Sequence, residues 1–282
     1  MHTKLRGTGV AMVTPFKDDS SIDFDALKKL TKHIVKVGVE FLVVMGTTGE
    51  NPVLSQQEQK TVLDTVIEVS EKKVPIVFGI GGNNTQAVLE TIKNTDFTNI
   101  DAILSATPYY NKPTQEGLYL HYKSIAEACP VPIILYNVPG RTSVNMSAET
   151  TLKLANEFEN IIAVKEASGD LDQIMQIIKN KPTDFTVLSG DDNFTMPYIA
   201  MGMDGVISVI ANAFPKQFSD MVRASLTYDF KTAQELHYKL LDLSSSLYLE
   251  GNPGGIKAAL EVLGICEKHV RLPFSTCKQG NL

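Results

Sequence analysis

The chain has 282 residues, 43% of them hydrophobic and 21% charged, a globular balance with ample apolar side chains for one large core or two smaller ones. The formal net charge is -6 and Lys and Arg are scattered, which excludes the massed cationic footprint of a nucleic-acid or membrane-surface binder. Attraction for an anionic substrate then has to come from a few local cations in a cleft. Cys129, Cys266 and Cys277 form no C-x-x-C pair and stand near no histidine at metal-ligand spacing, so neither a disulfide nor a zinc site is indicated. The N-terminus lacks a charged segment followed by an apolar stretch, and no long uncharged apolar run occurs, which predicts a cytoplasmic protein without membrane segments.

Along the chain, short β-branched runs alternate with longer amphipathic segments. Gly9–Val13 reads as a strand and Asp23–Lys36 as a helix. Phe41–Met45 precedes Gln56–Ser70, Ile76–Phe78 precedes Thr85–Lys93, and Ala102–Leu104 precedes Glu116–Ala128. Ile133–Tyr136 is followed by Ala148–Asn156, Ile161–Val164 by Leu171–Asn180, Thr186–Leu188 by Phe194–Met201, and Gly205–Ser208 by Lys216–Leu226. The strands are continuous apolar runs, as parallel strands buried on both faces should be. Eight such βα units predict a closed (β/α)8 TIM barrel over residues 1–226, and Phe230–Leu249 and Gly255–Leu263 read as additional C-terminal helices in an extension over 227–282. An open doubly wound sheet would carry G-x-G-x-x-G after its first strand. That turn is missing, and Gly79-Ile80-Gly81-Gly82 is assigned a packing or loop role.

In such a barrel the active site lies at the C-terminal strand ends, which directs attention to the polar residues just after each apolar run. Lys165 ends Ile161–Val164 and projects from a buried strand where an ammonium is poorly solvated. A neutral amine there can attack a ketone to form an imine, which stabilises an enamine at the neighbouring carbon. The bland alternative is an ion pair with Glu166 or another carboxylate. Thr47 and Thr48, between Gly46 and Gly49, offer hydroxyls and backbone N–H groups suited to a carboxylate, or else simply form a turn or cap before the next helix. Tyr136 could pass protons to and from the imine, or be a buried hydroxyl satisfied by a carbonyl. Arg141, five residues on, is shaped for bidentate carboxylate binding, or is a surface arginine. Asp191-Asp192 has no partner to complete a metal site and is assigned to capping the helix that follows; no cofactor or metal is indicated.

Taken together, Gly46–Glu50, Pro108–Pro113, Tyr136–Thr142 and Val164–Gly169 resemble the 4-hydroxy-tetrahydrodipicolinate synthase (dihydrodipicolinate synthase) family, in order, from about Gly7 to Leu263. The resemblance implies condensation of pyruvate with L-aspartate 4-semialdehyde in the diaminopimelate route to lysine. It makes Lys165 the imine-forming residue and Tyr136 its acid-base partner. Thr47 would link Tyr136 to Tyr110, the latter supplied by the neighbouring subunit of a tight dimer inside a homotetramer. Thr48 would hold the pyruvate carboxylate and Arg141 that of the semialdehyde, with backbone around Gly190 and Ile207 completing the pocket.

Many members are inhibited by lysine at a dimer-interface pocket containing His or acidic residues. Tyr109 and Asn83 match it, but Gln56, Gln59 and Ala87 stand in the other places, which predicts weak or absent inhibition because a buried ammonium needs a counter-charge. The rival within the superfamily is an N-acetylneuraminate lyase or 2-keto-3-deoxy sugar-acid aldolase; Thr47-Thr48 and Arg141 favour the synthase. A non-catalytic 2-oxo-acid sensor is disfavoured because Lys165, Tyr136, Thr47 and Tyr110 are all present.

Overall fold

The computed structural model describes residues 5–249 and 251–277. Parallel strands β1 (Gly7–Ala11), β2 (Phe41–Val44), β3 (Ile76–Gly79), β4 (Ala102–Ala106), β5 (Ile133–Asn137), β6 (Ile161–Glu166), β7 (Thr186–Ser189) and β8 (Gly205–Ser208) close in sequence order into a barrel. Between them run α1 (Phe24–Lys36), α2 (Gln56–Ser70), α3 (Thr85–Asn94), α4 (Gln115–Ala128), the single turn α5 (Pro139–Thr142), α6 (Ala148–Glu157), α7 (Leu171–Asn180) and α8 (Thr195–Ala200). After β8 come α9 (Pro215–Leu226), α10 (Phe230–Leu247) and α11 (Gly254–Val262). Positions 250 and 278–282 of the predicted C-terminal extension lie outside the described residues. No helix among the described residues is long and apolar enough to cross a membrane.

The helices start where a short polar side chain can accept from an otherwise orphaned backbone N–H. Asp23, Asn84, Thr114, Ser147 and Asp170 cap α1, α3, α4, α6 and α7 in this way. α2 has a full capping box, in which Ser55 accepts from the Glu58 N–H and the Glu58 carboxylate accepts from the Ser55 N–H at 2.8 Å. Thr47 and Thr48 therefore do not cap that helix; they form a separate 3-10 turn, Thr47–Gly49.

Two apolar shells follow from strand alternation. Outward residues such as Leu42, Ile103, Leu135 and Val164 join the helix faces, including Leu27 and Tyr122. Inward residues such as Phe41, Val77, Leu104, Tyr136, Leu188 and Ile207 fill the barrel. β1 begins at Gly7, two residues before the apolar run, and ends at Ala11. The polar-looking Gly7-Thr8 is in the ladder because it pairs with Gly205-Val206 of β8, and Met12-Val13 leave it where Asn212 accepts from the Val13 N–H at 3.1 Å. At the end of β3, a Cβ on Gly79 would sit 2.0 Å from the Met45 carbonyl oxygen, so glycine allows the β2 and β3 ends to close. Asn51 then donates to both Met45 O at 2.9 Å and Gly79 O at 3.2 Å, which sets the loop carrying Thr47 and Thr48.

The C-terminal helices are tied to that same loop by a buried ion pair. Lys257 of α11 and Glu50 are fully buried, with Nζ 2.5 Å from Oε1. The second carboxylate oxygen accepts from the Arg271 N–H at 3.0 Å, and Lys257 also donates to His269 O at 2.8 Å. Arg271 grips Glu58 through two bonds of 3.0 and 2.6 Å. Burial lowers the Lys257 ammonium from its ordinary value, opposed by the charge and hydrogen bond of Glu50. Removing one partner strands the other, so Lys257→Met should lower stability by about 3–5 kcal/mol in denaturant unfolding. The double variant with Glu50→Gln should recover part of the loss; a double loss equal to the sum of the two single losses would show that the two groups are not coupled.

Candidate active site

Strand ends and C-terminal helices enclose one cavity of about 390 Å3, lined by Thr47, Thr48, Tyr136, Arg141, Lys165 and Gly190 among others. These expected site residues come from the ends of β2, β5, β6 and β7, as barrel geometry requires. Ile207 is in the inner shell with its side chain 1% exposed; Val209, just beyond β8, is the residue of that strand that reaches the cavity wall. Tyr110 is elsewhere. It stands 87% exposed on the loop after β4, with φ of 72°, and does not line the cavity of this single chain.

Lys165 is 5% exposed, and its Nζ lies 4.3 Å from the Tyr136 ring centroid. The two residues are paired neighbours on β5 and β6. Lys165 forms no ion pair with any described carboxylate. Glu166 faces the opposite way, where Asn137 Nδ2 donates to its oxygens at 3.2 and 3.1 Å, Ser168 N–H at 2.7 Å and Gln173 Nε2 at 3.2 Å. Burial raises the Glu166 carboxyl, and those donors work against the rise. The lysine amine is thereby left facing the cavity with a polarisable ring beside it and no counter-charge.

Thr48, 2% exposed, accepts on Oγ1 from Asn252 Nδ2 at 2.9 Å. Arg141 sits in α5, where Pro139 opens a single helical turn and Thr142 anchors it through bonds to Val138 O and Val144 O. Asp192 departs from its expected role as a helix cap. The N-cap of α8 is Phe194, without a side-chain bond, while Asp192 Oδ2 accepts from the Val209 and Ile210 N–H groups at 3.0 and 2.9 Å. Two adjacent N–H donors beyond β8 outcompete the start of a helix only six residues long. Asp191, Tyr248 and Asn252 also line the cavity. The last two lie in a segment without a recognisable motif, and only the packing of α10 and α11 brings them in.

Away from this cavity, a depression of about 280 Å3 is lined by Gln56, Gln59, Asn83, Ala87 and Tyr109, with no acidic side chain in its wall.

Residues 4–281 match the model of the Dihydrodipicolinate synthetase family. The chain belongs to that family. A 4-hydroxy-tetrahydrodipicolinate synthase of Phocaeicola vulgatus is 54% identical over 274 residues, covering 97% of this chain and 92% of the relative. The crystal structure of dihydrodipicolinate synthase from Aquifex aeolicus superposes with a TM-score of 0.94 at 41% identity, covering 98% of this chain and 94% of that one. The chloride inhibited dihydrodipicolinate synthase from Acinetobacter baumannii complexed with pyruvate gives 0.95 at 40% identity, covering 98% and 95%. Within the dihydrodipicolinate synthetase family this chain is a lyase of the class I aldolase type, on a (β/α)8 barrel with added C-terminal helices.

Gly190 is packed so closely that a Cβ there would lie 2.6 Å from the Ala167 Cβ and 3.1 Å from the Lys165 Cε. Gly190→Ala should slow the family's reaction about tenfold to a hundredfold by displacing the amine, and should lower stability by about 1–3 kcal/mol through overpacking against Ala167. An unchanged rate would show that the strand ends yield to the methyl group.

Proposed function

We propose that Lys165 carries the 4-hydroxy-tetrahydrodipicolinate synthase reaction of this chain, with pyruvate and L-aspartate 4-semialdehyde as substrates. The observation that carries the reading is a buried strand-end lysine, unpaired with any described carboxylate, facing a cavity that also holds Tyr136, Thr47, Thr48 and Arg141. Lys165 Nζ attacks the pyruvate ketone, and the carbinolamine loses water to give a protonated imine. Loss of a methyl proton makes the enamine, whose carbon attacks the semialdehyde aldehyde to form the new C–C bond. The semialdehyde's amine then displaces Lys165 from the imine carbon, closing the ring and freeing the lysine.

Tyr136 is the proton carrier for carbinolamine dehydration, since its ring lies against the amine. Thr48 takes the pyruvate carboxylate, with backbone around Gly190 and Ile207, and Arg141 takes the carboxylate of the semialdehyde. Thr47 links Tyr136 to Tyr110 of a neighbouring subunit. An 87% exposed tyrosine beside the half-exposed Tyr109 on one loop is suited to a partner surface, in line with a homotetramer built from tight dimers. The helices after residue 226 work as one unit with the barrel, because their ion pair and hydrogen bonds reach the Thr48 loop. The protein acts in the cytoplasm, in lysine and diaminopimelate biosynthesis. Arg141 in the cavity wall favours the semialdehyde over a sugar acid as second substrate.

Incubation with pyruvate and borohydride should leave a reduced pyruvyl adduct on Lys165, located by peptide mass spectrometry, and the same preparation should turn over aspartate semialdehyde. An adduct without product would point to a sister aldolase or a 2-oxo-acid sensor. Lack of an adduct would remove Lys165 from the mechanism.

The Gln56, Gln59 and Ala87 depression supplies no counter-charge for an ammonium. In a coupled assay, L-lysine should inhibit weakly or not at all, and inhibition at micromolar lysine would contradict this reading.

A further inference from the structure

Beyond Gly190, the wall of the cavity contributed by Asp191 and the C-terminal helices has no part in the steps above, and its chemistry is different from the rest. Arg141 supplies a guanidinium, Lys165 the amine that bonds to pyruvate and Thr48 a carboxylate contact, whereas Asp191, Tyr248 and Asn252 present oxygen acceptors. Asn252 is 7% exposed and commits its amide N–H to Thr48, which leaves Oδ1 buried at the cavity without a hydrogen-bond partner. Asp191 Oδ1 accepts from the Asn193 N–H at 2.9 Å, and its carboxylate forms part of the cavity wall beside Asn252. A buried acceptor without a donor is costly, and it implies a ligand that brings one.

Tyr248 is held by Asp192, whose carboxylate is 3% exposed. Oδ2 of Asp192 already accepts from the Val209 and Ile210 N–H groups, so the Tyr248 hydroxyl, 3.3 Å away, must be the donor in their bond. Burial first, and then the charges of Asp192 and Asp191, keep that hydroxyl protonated well above the ordinary tyrosine range. With its proton directed at a carboxylate, the phenol oxygen keeps its lone pairs free, and a hydrogen bond donated to an anion makes that oxygen a better acceptor.

Resting on the functional reading above, we propose that Tyr248, positioned by Asp192, is a specificity-determining residue that reads the ammonium group of the second substrate together with Asn252 Oδ1 and the Asp191 carboxylate. The second substrate is a zwitterion. Arg141 neutralises its carboxylate, and the acceptor wall receives its ammonium, so the cavity matches both charges of an amino-acid aldehyde. A 4-oxo acid lacking the amine would gain only the first half of this recognition.

The test compares Tyr248→Phe with wild type, using the KM for aspartate semialdehyde and the competitive inhibition constant of its desamino analogue, succinic semialdehyde, at saturating pyruvate. Loss of the acceptor should raise the KM roughly tenfold while kcat and the inhibition constant of the analogue stay within about twofold. The borohydride-trapped pyruvate adduct and the thermal midpoint should be unchanged, because Asp192 keeps its two backbone donors. Equal shifts for both ligands, or no shift for either, would overturn the proposal. So would failure of the variant to form the pyruvate adduct, which would make Tyr248 a structural residue. Failure of the wild type to form it would instead sink the functional reading, and this proposal with it.

Discussion

A one-residue irregularity in β6 decides what the cavity contains. Side chains on a strand alternate between the barrel interior and the helix layer, and one slip of register reverses every residue beyond it. On β6, Ile161 packs outward, and Ile162 and Ala163 both pack inward. The pairing with β5 shifts between Ile133 and Ile134, so that Ile133 lies opposite Ile161 while Ile134 lies opposite Ala163. Beyond this bulge Val164 faces the helices, Lys165 faces the cavity and Glu166 faces away. Strict alternation from Ile162 would have turned Glu166 inward and Lys165 out. A bulge beside an active site that re-aims a side chain is a common device, and here the aimed group is the Lys165 amine.

The same slip gives Glu166 its own place. A buried carboxylate next to the lysine in sequence would quench it if the two shared a face. On the opposite face Glu166 instead collects Asn137, Ser168 and Gln173 as donors, and Asn137 also accepts from the Met146 N–H at 2.9 Å. The carboxylate thus braces the β5 and β6 ends from outside while Tyr136 and Lys165 meet inside. Rigid support of this kind is what holds a reacting amine in one geometry.

The other side of the cavity depends on distant parts of the chain. Glu50 follows the Thr47–Gly49 turn, Lys257 is more than two hundred residues later, and their buried contact fixes α11 over the β2 end. Asn252 and Tyr248 are carried in with it, one bonded to Thr48 and the other to Asp192. Charge in the cavity is accordingly local. The chain is anionic as a whole, with a net charge of -6, yet the Arg141 guanidinium and the Asp191 carboxylate are set on separate walls of one small volume. The proposed recognition of a zwitterion rests on that separation and not on the field of the protein.

The sequence by itself determined the alternation of eight strands and helices, because continuous apolar runs and capping residues such as Ser55 and Asp170 encode local hydrogen bonding and burial. It also placed Lys165, Tyr136, Thr47, Thr48 and Arg141 at strand ends, where barrel closure gathers them into one cavity. Only the tertiary structure decided which of Lys165 and Glu166 points inward, since a bulge is defined by a partner strand and leaves no mark on the apolar run. Tertiary packing likewise turned Asp192 from α8 to the β8 turn, left Ile207 within the core, and brought Tyr248 and Asn252 into the cavity wall. Local sequence carries periodicity and capping, whereas these choices are made by contacts that exist only once the barrel has closed and its C-terminal helices have docked.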